Sequence, residues 1–110
     1  MFIRADKLII EAALNEQSSK AENPHVPVSA EECAADALAC AAAGAAIIHF
    51  HARNPRTGAL LIPGTETYAE AMRLINEERP DLLVYPTYAA VSSPAVPWHF
   101  SIIRLEQVDA

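Results

Sequence analysis

The sequence predicts an α/β fold, on three observations. Three short apolar runs, Lys7 to Leu14, Ala45 to His51 and Asp81 to Thr87, read as solid hydrophobic stretches, the pattern of strands in a parallel sheet covered by helices. The segments between them are long enough for right-handed crossovers and carry helix-capping signals. The composition agrees: 110 residues, 52% hydrophobic and 20% charged, with three Gly and eight Pro, which excludes disorder, collagen-like repeats and a disulfide scaffold.

The first strand is KLIIEAAL, ended by a polar, proline-bearing stretch from Asn15 to Val28. Glu11 interrupts this apolar run; a buried carboxylate needs a partner, so Glu11 is expected to be paired in the interior or to belong to a site. Ser29-Ala30-Glu31-Glu32 is a capping box that opens an alanine-rich helix stopped by Gly44. The second strand, Ala45 to His51, is closed by the turn sequence Asn54-Pro55-Arg56-Thr57-Gly58. Thr67 with Glu70 gives a second capping signal, leading into YAEAMRLINEE, where Ala71, Leu74 and Ile75 keep helical spacing until Pro80. The third strand follows. Ser93-Pro94 would open a last helix through Leu105, with Pro97 and the cluster Trp98-His99-Phe100 standing against it.

Fourteen carboxylates against eight Lys plus Arg give a net charge of -6, which supplies no electrostatic footprint for nucleic acid or an anionic membrane. Small molecules or other protein chains are the expected partners. The chain opens Met-Phe-Ile-Arg-Ala-Asp-Lys and its first apolar run is broken by Glu11, unlike a secretory signal. The most apolar region, Ala34 to Phe50, contains Asp36 and Gly44 and falls short of the roughly 20 strongly apolar residues that span a bilayer. A soluble, cytoplasmic protein is expected. Cys33 and Cys40 share a helix face about 10 Å apart, too far for a disulfide, and read as small buried hydrophobes in a reducing compartment.

The candidate site is His49-x-His51. Residues i and i+2 of a strand point to one face with about 6.6 Å between their Cα atoms, so both imidazoles can converge on one metal ion, for which zinc is the natural choice. The pair lies at the carboxyl end of a parallel strand, where α/β folds place their chemistry, and Arg53 follows just beyond. The competing reading is two satisfied histidines beside a loop. Asn15-Glu16-Gln17-Ser18 stands where a dinucleotide-binding fold would carry its glycine-rich loop. His25 and His99 read as rim histidines, and Tyr68, Tyr85, Tyr88 and Trp98 as packing residues.

Four segments resemble the β-keto acid cleavage enzymes: Leu8 to Glu16 (LIIEAALNE), Asn23 to Val28 with the Ser29-Ala30-Glu31-Glu32 box, Ala43 to Arg53, and Pro86-Thr87. Nearly the whole chain, to about Val91, takes part, and AGAAIIHFHARNPRTG is the most specific element. The resemblance implies the first three strand-helix units of a (β/α)8 TIM-type barrel as a single partial domain over residues 1–110, incomplete at this length because such a barrel takes about 250 residues. It implies a zinc-dependent acyl transfer between a β-keto acid and acetyl-CoA that gives acetoacetate and a new CoA thioester, 3-keto-5-aminohexanoate cleavage being one case. It assigns His49 and His51 as the histidine ligands of the metal and Thr87 as a hydroxyl residue that contacts substrate, and it puts Glu16 near the acidic residue after the first strand. The family's glutamate ligand belongs to a later strand than this sequence reaches. Ala89-Ala90 departs from the Gly-Gly that many members carry.

The chemistry is consistent with these residues. Breaking a carbon-carbon bond beside a ketone builds negative charge on the carbonyl oxygen, which a bound Zn²⁺ stabilises as a Lewis acid. Glu16, Arg53 and Thr87 leave the same strand ends and are the candidate substrate-binding groups. Each also has a plain reading: Arg53 in a structural ion pair, Glu16 as a loop carboxylate, Thr87 as a strand end. An unclosed barrel leaves the third strand's edge unpaired, so the chain is expected either to be a partial product or to complete itself by association as a homo-oligomer, and an isolated monomer is expected to transfer little or no acyl group. Two other functions compete: a non-catalytic half-barrel that acts through oligomerisation, and a metal-dependent barrel hydrolase, whose HxH pair usually lies on the first strand rather than the second.

Overall fold

The computed structural model describes residues 7–86. In chain order the elements are β1 (Glu11–Ala13), α1 (Ala30–Ala42), β2 (Ile47–Phe50), α2 (Thr65–Glu78) and β3 (Leu83–Pro86). The strands form one sheet in the order β1-β2-β3, parallel throughout, so the chain is an α/β fold built of two successive β-α-β units. Thr87, the Ala89-Ala90 loop, Tyr88 and the last helix expected over Ser93 to Leu105, with Trp98 and His99, lie outside the described residues.

Both helices cover the same face of the sheet. Ile48 and Phe50 of β2 are fully buried against Cys33, Ala34, Ala37 and Ala41 of α1 and Tyr68, Ala71 and Ile75 of α2. The alanine bias of α1 has its reason here, because small side chains let one helix lie close to both the other helix and the sheet. The opposite face carries Glu11, Ile47, His49, Leu83 and Tyr85, and its register sets Ala13 beside His49 and His49 beside Tyr85. The solid apolar runs therefore do not mark strands covered on both faces here: Leu83 is exposed and Ile47 only half-buried. The first strand is also shorter than its apolar run, and Leu8, Ile9 and Ile10 are exposed, although the Ile10 carbonyl still accepts from the amides of Ala46 and Ile47.

The first capping box forms as the sequence dictates. The Ser29 hydroxyl accepts from the Glu32 amide at 3.1 Å, and Glu32 Oε1 accepts from the amides of Ser29 and Val28 at 3.0 and 3.1 Å. At the other end Gly44 takes φ 117°, and the Gly44 and Ala45 amides close onto the carbonyls of Ala41 and Cys40 in a Schellman arrangement. Cys33 and Cys40 are free thiols, and burial pushes the Cys33 thiol up to about 12, so it behaves as a small apolar side chain.

The second helix corrects the reading of Thr67 and Glu70 as its capping pair. It starts at Thr65, and its N-cap is Gly64 in the left-handed region at φ 68° with no side-chain capping bond. Glu70 instead pairs with Arg73 along the helix surface, at 2.7 Å. The earlier start is set by packing: Tyr68 is buried, and its hydroxyl donates to the Phe50 carbonyl at 3.0 Å and accepts from the Ala52 amide at 3.1 Å, pinning the first turn to the end of β2. Gly64 fits beneath this contact because a Cβ there would lie 2.4 Å from the Ala52 Cβ and 2.9 Å from the Leu61 carbonyl oxygen.

Two stability measurements follow. Gly64→Ala adds a backbone atom clash to an unfavourable φ and is expected to cost about 2 kcal/mol or more, read as a lower urea midpoint at unchanged slope. The Glu32 carboxyl is held down to about 2, from an ordinary 4.5, first by the Lys20 ammonium and then by the Ser29 amide. A depressed carboxyl contributes stability that is present above its unfolded value and is lost as pH falls through its folded value, so the loss falls between pH 4.5 and about 2. The pair is partly exposed and screened by solvent. Glu32→Gln is expected to flatten the acid side of the thermal-stability profile in that window and leave its shape near neutrality unchanged.

Candidate active site

The site is assembled at the carboxyl ends of β1, β2 and β3, and its first requirement is a side chain that ties the exit of β1 to the end of β2. The last backbone rung between those strands is the Leu14 amide to the His49 carbonyl, at 3.1 Å. Beyond it Asn15, only 2% exposed, takes over: its Oδ1 accepts from the His51 amide at 2.9 Å, and its Nδ2 donates to the carbonyls of His51 and Pro27 at 2.9 and 3.1 Å. An amide is suited to this position because it offers one acceptor and two donors to match one N–H and two carbonyls.

Glu16 follows in the left-handed region at φ 40°, which turns its carboxylate over the end of β2. Its Oε1 lies 2.5 Å from His49 Nε2, and its Oε2 lies 3.6 Å from His51 Nε2. Both imidazoles thus turn their Nε2 atoms toward one carboxylate. The hydrogen bond to His49 lowers the Glu16 carboxyl below its ordinary range. Arg53, 7% exposed, secures the loop from behind: its guanidinium donates to the Glu16 carbonyl and makes a long contact of 3.5 Å with the Gly58 carbonyl. It holds main chain and forms no ion pair among the described residues.

On the other side of His49 stands a second group of polar side chains. The Tyr85 hydroxyl donates to Glu11 Oε1 at 2.6 Å and lies 3.1 Å from His49 Nδ1, while Glu11 Oε1 is 3.6 Å from the same nitrogen. The hydrogen bond to Glu11 raises the Tyr85 hydroxyl above its ordinary value. Glu11 is paired, as expected, but it is not buried: its side chain is 41% exposed on the sheet face away from both helices. Tyr85 is no mere packing residue, and its place beside His49 comes from the parallel register of β2 and β3. His25 is exposed in the loop before α1 and takes no part.

His49 and His51 offer two imidazole nitrogens to a metal, and Glu16 a carboxylate beside them, which is suitable chemistry for a zinc site. Among the described residues, however, no three His, Cys, Asp or Glu side chains are spaced to hold an ion together. The two histidines thus fit a metal as a partial donor set.

Comparison with known proteins decides the family. The profile for beta-keto acid cleavage enzyme matches residues 7–109. The chain belongs to that family. A relative in Fusobacterium nucleatum, 3-keto-5-aminohexanoate cleavage enzyme, is 35% identical over 83 residues, covering 74% of this chain and 30% of that protein. The 3-dehydrocarnitine:acetyl-CoA trimethylamine transferase of Rhizobium meliloti is 47% identical over 38 residues, 34% of this chain and 13% of that protein. The match thus spans less than a third of the length of either relative. Among the described residues of this beta-keto acid cleavage family chain no helix is long and apolar enough to cross a membrane.

Of the site residues expected from sequence, His49, His51, Glu16 and Arg53 come together, and Thr87 lies outside the described residues. Asn15 and Tyr85 were missed. A polar residue directly after an apolar strand is a weak signal for Asn15, and nothing in the spacing of Tyr85 marks it, since its neighbour is set by strand register. Asn15→Asp replaces two donors by a charge facing two carbonyls and is expected to cost about 3 kcal/mol, as measured by urea unfolding.

Proposed function

We propose that this chain carries the amino-terminal part of a zinc-dependent β-keto acid cleavage site, in which His49 and His51 hold the metal and Glu16, Arg53 and Thr87 serve the substrate. The observation that carries this reading is the turning of both imidazole Nε2 atoms toward one carboxylate at the end of a parallel strand. Family membership supports it, and the names of the two relatives support a keto acid and acetyl-CoA as the substrate classes. The reaction is acyl transfer between a β-keto acid and acetyl-CoA, giving acetoacetate and a new CoA thioester.

In this reading the three strands, with helices on one face only, are the first units of a (β/α)8 barrel whose interior is the face bearing His49. Zinc, when bound, supplies Lewis-acid stabilisation for the charge that develops on the ketone oxygen. Asn15 fixes the backbone of His51 at the end of β2. Arg53 anchors the carbonyl of Glu16, and the Glu16 carboxylate, held beside His49 and His51, is the group that would meet an ammonium group of the substrate. Thr87, one residue past β3, would contribute a hydroxyl to the same substrate. We place the chain in the cytoplasm as a homo-oligomer, on the free thiols of Cys33 and Cys40 and the exposed apolar side chains of Leu8, Ile9 and Leu83.

Metal analysis of the purified chain tests the central assignment. The wild type is expected to retain zinc through gel filtration, and a His49→Ala, His51→Ala double variant to lose it. Equal zinc in both proteins would overturn the site.

A further inference from the structure

We propose that the cavity between the loop after β1 and the loop after β2 binds a phosphate group, and that this group is the terminal phosphate of an acyl-CoA. The assignment to CoA rests on the acyl-transfer reading above, whereas the phosphate site rests on the cavity alone.

The cavity holds about 200 Å³ and is lined by Ser19 and Lys20 from the first loop and by Arg53, Arg56, Thr57 and Gly58 from the second. No Asp or Glu lines it, in a chain whose net charge is -6. Arg53 is the residue that calls for an anion. It is 7% exposed, its guanidinium meets only the backbone carbonyls of Glu16 and Gly58, and its Nε is buried without a hydrogen-bond partner among the described residues. A cation buried against neutral carbonyls has lost its water without gaining a counter-charge, which an anion in the adjoining cavity supplies.

The other lining groups have hydrogens to give. Arg56 is exposed and its guanidinium meets no partner among the described residues, so its five N–H donors are open. The Lys20 ammonium gives one hydrogen to Glu32 Oε2 at 2.8 Å and one to the Pro24 carbonyl at 3.3 Å, and keeps a third. The hydroxyls of Ser19 and Thr57 accept from the amides of Glu22 and Ala59, which leaves each hydroxyl hydrogen to donate. Open donors without a carboxylate suit an oxyanion with several acceptor oxygens, and a guanidinium fork matches phosphate with two parallel hydrogen bonds. The second loop is set in advance: Asn54 Oδ1 accepts from the amides of Arg56 and Thr57 at 2.9 and 3.1 Å, and the Gly58 amide donates to the Asn54 carbonyl at 2.7 Å.

Position and size select the phosphate of CoA over the carboxylate of the keto acid. The imidazoles meet Glu16 at its carboxylate, whereas Arg53 meets it at its backbone carbonyl. A β-keto acid carries its carboxylate two carbons from the ketone, so a ketone at the imidazoles keeps its carboxylate there too. A CoA phosphate stands at the end of a long arm and can lie beyond the Glu16 loop. Pockets for whole drug-sized ligands begin near about 300 Å³, so this cavity admits one group. The phosphate on the CoA ribose enters as an end, while the diphosphate lies in mid-chain.

The test titrates the full chain calorimetrically with inorganic phosphate, CoA and dephospho-CoA, which lacks the ribose phosphate; it needs neither zinc nor turnover. The wild type is expected to bind CoA about 10-fold tighter than dephospho-CoA, with the preference shrinking as salt rises. Arg56→Ala is expected to abolish the preference and to weaken phosphate binding about 10-fold, and Arg56→Lys, which keeps the charge without the fork, to fall between. Arg79→Ala, at an exposed arginine that pairs with Asp81 and does not line the cavity, is expected to match the wild type. Phosphate binding unchanged by Arg56→Ala overturns the site. Equal binding of CoA and dephospho-CoA by the wild type, or a preference that survives Arg56→Ala, overturns the assignment to CoA. Phosphate binding that Arg56→Ala weakens, with no preference for CoA, upholds the cavity as a phosphate site and gives it to the free ion. Failure of the zinc comparison overturns the metal reading and leaves these titrations to decide the cavity.

Discussion

The side-chain amide of Asn15, bonded to both backbone groups of His51, is the constraint on which the site depends. Parallel strands share backbone bonds only as far as their pairing runs, and here the pairing with β1 ends at His49, short of His51. Asn15 extends the pairing by one step with its side chain. The chain then turns through Glu16 under the hold of Arg53, and a carboxylate from one strand end meets imidazoles from another. A buried amide satisfied at all three of these positions loses heavily if any partner is removed, so the loop has one arrangement rather than several.

The sheet divides the labour between its faces. One face packs Ile48 and Phe50 under both helices and supplies the stability, while the other presents His49 with Glu11 and Tyr85. Because side chains alternate along β2, the residues that build the core and those that build the site are interleaved in sequence. The core holds the strand flat against the helices, and that fixes the direction in which His49 projects. Tyr68 joins the two roles, filling the core with its ring while its hydroxyl ties α2 to the Phe50 carbonyl and the Ala52 amide at the end of β2.

Much of this was legible beforehand. The solid apolar runs and the Ser29 box located the strands and α1, and Gly44 marked its end, because these are local effects of propensity, capping and backbone freedom. The i, i+2 spacing of the histidines was enough to predict a common direction. The start of α2 was misread because a local capping signal at Thr67 and Glu70 lost to a packing requirement at Gly64 and Tyr68, which no window of neighbouring residues contains. Glu11 has the partner expected of a carboxylate in an apolar run and stands beside His49, but on a half-exposed face, because exposure depends on which elements cover a face.

By itself, then, the sequence determined the order of strands and helices, the family resemblance and the pairing of His49 with His51 as candidates. Only the tertiary structure decided that Glu16 lies against both imidazoles, that Arg53 grips the backbone at Glu16, and that Tyr85 and Glu11 flank His49 from behind. The physical reason is distance along the chain. Capping and periodicity act over a few residues, but the hydrogen bonds of the site join β1, β2 and β3 across 33 to 74 positions, and strand register alone sets which side chains meet.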